Sequence, residues 1–126
     1  MKVFPGRAES GKSEQRSATF TGTVWGDPVM PPTDGVTINT VFFAPDSRTH
    51  WHTHEQGQVL HVTAGKGWVC LEGEAPRLIR QGDIVWIAAG ERHWHGADID
   101  SYLVHIAISL GKADWQEAVE NPGYPD

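Results

Sequence analysis

His52-Thr53-His54-Glu55-Gln56-Gly57-Gln58, joined by His93 about forty residues on, is the stretch on which the reading of this chain turns. Two histidines at i and i+2 of a strand point to the same face. Glu55-Gln56-Gly57 reads as a turn, so Gln58 opens the neighbouring antiparallel strand and can meet them. His93, brought alongside by the fold, completes a four-ligand set of a kind that suits divalent transition metals.

Working outward, the chain reads as a succession of short strands. Phe20 to Trp25, Val36 to Ala44, Thr49 to His54 and Gln58 to Thr63 are rich in β-branched and aromatic residues. Gly65-Lys66-Gly67 predicts a hairpin into Trp68 to Leu71. Arg77 to Arg80, Ile84 to Ala88, a segment with His93 and His95, and Tyr102 to Leu110 follow. Asp27-Pro28 and Met30-Pro31-Pro32-Thr33-Asp34-Gly35 read as breakers. Lys112 to Glu120 predicts a short helix ended by Asn121-Pro122-Gly123. Fourteen glycines and eight prolines punctuate these segments, which fits an all-β sandwich or barrel rather than alternating βαβ units.

With 126 residues there is room for one hydrophobic core. Residues 1–17 read as a polar tail and 18–126 as the folded domain. The net charge of -6 leaves no basic stripe for nucleic acid. No apolar run approaches the roughly 20 residues of a membrane span. The polar first segment lacks the apolar centre of a signal peptide, and the lone cysteine, Cys70, forms no internal disulfide, so the cytoplasm is the expected compartment. Cys70 reads as a small buried apolar residue. Trp51, Trp68, Trp86 and Trp94 read as core or pocket wall.

Gly6-Arg7-Ala8-Glu9-Ser10-Gly11-Lys12-Ser13 matches a phosphate-loop pattern. That motif needs a buried strand before it and an amphipathic helix after it. Neither is present, and the match reads as chance.

The His52/His54/Gln58 spacing, Gly65, and the run from Gly82-Asp83 through Gly90 to His93 resemble the two halves of the cupin signature. The resemblance narrows through Phe20-Thr21-Gly22-Thr23-Val24, Asp27-Pro28, Trp51-His52-Thr53-His54, Gly57-Gln58, Gly82-Asp83-Ile84-Val85-Trp86, His93-Trp94-His95-Gly96-Ala97 and His105-Ile106-Ala107-Ile108. These look like the small bacterial cupins that include the cupin-type hydroxynitrile lyases. The resemblance implies a single-domain cupin, a double-stranded β-helix or jelly-roll barrel. It also implies His52, His54, Gln58 and His93 as metal ligands, with manganese first and then iron, zinc, nickel or cobalt. His105 carries over as acid/base. His95, two residues from His93 and also facing inward, competes for that role. The family further implies a homodimer or homotetramer with an N-terminal strand, within residues 1–25, exchanged between copies.

The chain departs from the pattern at Ala88, where many cupins carry proline, at Glu55-Gln56 in the turn, and at two extra histidines. By parity His50 shares a face with His52 and His54, and His61 lies opposite Gln58. The glutamine ligand leaves the full positive charge on the metal, which favours polarisation and proton transfer over oxygen activation. The resemblance to the hydroxynitrile lyases implies reversible cleavage of a cyanohydrin to aldehyde and cyanide, and polarisation of this kind suits it. Asn39, Val41 and Ser109 are candidate substrate contacts. The alternatives are a metal-dependent dioxygenase, marked by oxygen consumption with iron-loaded protein, a cyclase or isomerase of a small phenolic or carbonyl substrate, and a non-catalytic binding cupin, which would purify without metal.

Overall fold

The computed structural model describes residues 1–7 and 11–125. Among them there are twelve strands and no helix: β1 (Glu14–Arg16), β2 (Phe20–Thr21), β3 (Val24–Thr33), β4 (Val36–Phe43), β5 (Arg48–Thr49), β6 (His52–His54), β7 (Gly57–Leu71), β8 (Arg77–Arg80), β9 (Ile84–Ile87), β10 (His93–Ala97), β11 (Leu103–Leu110) and β12 (Ala113–Trp115). The phosphate-loop match falls partly on residues 8–10, outside the described residues.

All pairings are antiparallel, in the order β1-β3-β4-β11-β7-β10-β5-β2, with β9 and β8 also on β7, and β6 between β10 and β12. The result is the all-β jelly roll expected of a cupin. β7 joins its two layers. Its first half pairs with β11 and β9, and its second half with β10 and β8. No hairpin forms at Gly65-Lys66-Gly67. Gly65 has φ +78°, and a Cβ there would collide with the Tyr102 carbonyl oxygen. The glycine permits that close approach where the strand changes layers, beside the register shift at Val104/His105.

Three further expectations are corrected. β3 runs through Pro28, Pro31 and Pro32, because β1 pairs only with Val24 to Gly26 and the prolines lie on the open edge beyond it, at register shifts against β4. Lys112 to Glu120 is not helical. Its first residues form β12, which satisfies the free edge of β6, so tertiary pairing overrides local propensity. Arg92 fastens the stretch just beyond β12, binding Gln116 and Glu117 and lying over the Trp51 ring. Glu14 to Arg16, in the segment read as tail, form β1 on the edge of β3.

Alternation sets the core. Phe43, Leu60, Val62, Leu103 and Ala107 face inward, while their chain neighbours face out. Cys70, Trp94 and Val119 form a second cluster with Trp51, Trp68 and Tyr124. Trp86 is neither core nor pocket wall. It pairs with Val59 on the outer face, where Trp25, Phe42, Ile84 and Tyr102 are also exposed.

Candidate metal centre and cavity

β6, β7, β10 and β11 converge inside the barrel. His52 lies directly opposite His93, and Gln58 opposite Ser109. His52, His54, Gln58, His93, His95 and His105 are all buried.

The imidazoles of His52 and His93 are oriented in the same way. Each Nδ1 lies 2.9 Å from the backbone carbonyl oxygen two residues earlier, that of His50 and of Glu91 respectively. An Nδ1–H donating there fixes the tautomer and leaves Nε2 as a lone pair turned inward. His52 Nε2 has no partner, nor has either ring nitrogen of His54. Gln58 Nε2 donates to Ser109 Oγ at 3.1 Å, while Gln58 Oε1 faces His93 Nε2 at 3.1 Å. With His93 in that tautomer, two lone pairs oppose each other. Buried polar atoms without partners are costly, and converging lone pairs are costlier. A cation among them relieves both, so the residues present fit a divalent metal.

One ligand atom from each of His52, His93 and His95 lies within 4.8 Å of the others. The His54 ring is 5.0 Å from that of His52 and 5.6 Å from that of His93, centroid to centroid. The cluster thus holds the four residues expected as ligands and also His95.

Burial is the main cause that lowers the pKa of every imidazole here. His54 and His105 fall to about 4, His93 is lowered, and His52 and His95 lie well below the usual range. Charge repulsion between the rings adds to this at His52, His54 and His95. All five are therefore neutral at pH 7, the form that binds metal.

His105 Nε2 and His95 Nδ1 are 3.0 Å apart, whereas His105 Nδ1 and His95 Nε2 have no partner. Two neutral imidazoles in such a pair share one N–H between them. The pair then exposes a lone pair at one outer nitrogen and an N–H at the other.

A cavity of about 1110 Å³ opens onto these groups. Thr37, Asn39, Val41, Ala107 and Ser109 line it from β4 and β11, as alternate residues should. Trp115 and Phe20 line it as well, and neither was expected in the cavity wall from the sequence. Trp115 stacks on His52 with centroids 4.3 Å apart, and Phe20 lies 5.6 Å beyond it. The helix expected at 112–120 concealed Trp115; reading that segment as a strand beside β6 would have found it. His50 contributes its carbonyl oxygen rather than its ring, and His61 is exposed on the outer face. Cys70 is buried with its thiol pKa raised by burial, so it is not a reactive thiolate.

Comparison with known proteins agrees with this fold. The Cupin domain family matches residues 39–109. The chain is 47% identical over 111 residues to (R)-mandelonitrile lyase of Granulicella tundricola, covering 83% of this chain and 85% of that protein. Among solved structures, a cupin-like protein of Thermotoga maritima superposes with a TM-score of 0.81 at 35% identity, over 97% of this chain and 94% of the other. The polyketide cyclase RemF of Streptomyces resistomycificus shares the fold, with a TM-score of 0.73 at 17% identity over 97% of this chain and 89% of its own.

Proposed function

Because this chain belongs to the cupin family, we propose that it is a metal-dependent lyase that cleaves a cyanohydrin reversibly to an aldehyde and cyanide. The observation that carries the reading is His105: it lines the cavity, its Nδ1 has no partner, and its Nε2 is backed by His95. The 47% identity to a mandelonitrile lyase supports the substrate class.

His52, His54, Gln58 and His93 would hold the divalent metal. Manganese is the first candidate, then iron, zinc, nickel or cobalt. Bound there, the ion supplies Lewis-acid polarisation of the substrate hydroxyl oxygen.

The protein's part is proton management at the buried end of a largely apolar cavity. For His105 Nδ1 to act as base it must carry the lone pair. Its Nε2–H then donates to His95 Nδ1, and His95 Nε2 bears the other proton. An N–H at His95 Nε2 keeps that nitrogen from ligating, which favours His54 over His95 in the ligand set. His105 takes the hydroxyl proton, the carbonyl forms, and the C–C bond electrons leave with cyanide. His105 then returns the proton to cyanide, giving hydrogen cyanide and regenerating the base. With a pKa of about 4, its conjugate acid gives up that proton readily at pH 7.

Asn39 and Val41 on β4 and Ser109 on β11 are proposed to seat the substrate. Trp115 and Phe20 give its organic group an aromatic wall. The test is aldehyde release from racemic mandelonitrile by manganese-loaded and chelated protein. Release that needs the metal supports the reading; equal release by both, or none, overturns it.

A further inference from the structure

Arg16 stands on β1 directly opposite Val24, a fully buried core residue, and directly opposed residues share a face. Its side chain therefore lies on the inner side of the sheet. Gly26, two residues along β3 from Val24, is on that side too. A Cβ added at Gly26 would fall 2.6 Å from Arg16 Nε and 3.0 Å from Nη2, so the guanidinium rests over bare backbone there. Gly26 lies directly across from Val41, and Val41 from His105. One inner row thus runs from the Arg16 guanidinium over Gly26, past Val41, to His105. At ~4.8 Å per strand its ends are about 10 Å apart. Arg16, Val41 and His105 all line the cavity.

The ionic partner of Arg16 is Glu14, whose Oε2 lies 3.4 Å from Nη2 and which is largely exposed. At that length and exposure the pair is weak, and most of the guanidinium fork is left to another anion. The other charged residues of the cavity wall are Glu55 and Lys112. They lie across from each other one step beyond the Ala113–His54 pair, joined by Glu55 N–H donating to the Lys112 carbonyl oxygen at 2.9 Å. Their charges offset each other, which leaves Arg16 to set the sign of the wall in a chain of net charge -6.

We propose that Arg16 binds a carboxylate on the substrate, at the end away from the reacting carbon. The substrate class is then the cyanohydrin of a carboxylate-bearing aldehyde, which rests on the lyase reading of the same site and adds to it the group held at the other end. A planar guanidinium matches a carboxylate with two parallel hydrogen bonds. The reacting carbon lies at His105, the carboxylate at Arg16, and a single ring or a chain of similar length packs on Val41 between them. One guanidinium beside the Glu14 carboxylate suits a singly charged anion, whereas a doubly charged phosphate would be repelled by Glu14.

The test uses manganese-loaded full-length protein. Binding of 4-formylbenzoate and of benzaldehyde is measured by calorimetry, and cleavage of their two cyanohydrins by kcat/KM. The wild type should prefer the carboxylated compound by about 10- to 100-fold, the worth of hydrogen bonds between charged groups. In Arg16→Gln, shown by circular dichroism to be folded, the ratio should fall to near one, and in Lys112→Gln it should stay as in the wild type. A wild type without preference overturns the proposal. So does a preference that survives Arg16→Gln, which would place the carboxylate on the metal or elsewhere in the wall, or one that Lys112→Gln abolishes. The two readings fail separately. Equal binding with cleavage of both cyanohydrins overturns the Arg16 site and leaves the lyase; an Arg16-dependent preference in binding with no cleavage supports the Arg16 site and overturns the lyase.

Discussion

Acidification of the metal-free protein from pH 7 to pH 5 should cost stability. His105 has an ordinary value of 6.5 when unfolded and about 4 in the folded chain, because it is buried. Between those values the unfolded state binds the proton and the folded state does not. Stability is therefore full above pH 6.5 and is lost as the pH falls toward 4. At pH 5 this one histidine costs about 2 kcal/mol relative to pH 7, from the ratio of the two binding polynomials. His52, His54, His93 and His95 shift in the same direction, so that figure is a floor. Urea denaturation of chelated protein at the two pH values reads it directly. With a slope of 1–3 kcal/mol per molar, the midpoint should fall by roughly 1 M or more. An unchanged midpoint, or a rise at pH 5, would refute the claim that the cluster is held neutral by burial. His105→Gln should remove about 2 kcal/mol of the pH dependence, whatever it does to stability at pH 7.

The same geometry leads to further outcomes. His105→Ala should lower kcat for cyanohydrin cleavage by 10²–10⁴-fold, the usual worth of a positioned base, with metal content unchanged. His52→Ala, which removes a lone pair already fixed by the His50 carbonyl, should abolish stoichiometric metal uptake measured by elemental analysis. Gln58→Glu should tighten metal binding in calorimetry by about tenfold or more, since it adds a negative charge at the ion, and should slow cleavage as the ion becomes a weaker Lewis acid. Leu60→Ala, at a fully buried core position, should cost 2–5 kcal/mol in denaturant unfolding and leave metal binding in place.

The site was legible because its signals are short in range. His52, His54 and Gln58 sit across one tight turn, and strand parity alone sets their common face. The same rule placed His61 outside and Asn39, Val41 and Ser109 in the cavity wall. What parity cannot see is which edge a strand will find. The prolines of β3 read as breakers because nothing local says that the strand is open beyond Gly26. Residues 113–115 read as helix because the free edge of β6 exists only in the folded barrel. Trp86 looked like core for a related reason. Its neighbours Val85 and Ile87 are equally apolar, and only the pairing of β9 with β7 decides which of them turns inward. The His95–His105 contact joins residues whose strands, β10 and β11, are not paired with each other, so no pattern in the chain announces it.

The central claim is that His105 moves the proton beside a metal held by its neighbours. The most direct measurement compares benzaldehyde release from mandelonitrile by wild type and His105→Ala, both first shown to carry the same metal content. The account predicts turnover by the wild type and a loss of at least 10²-fold in the variant. Equal turnover by the two metal-replete proteins would contradict it.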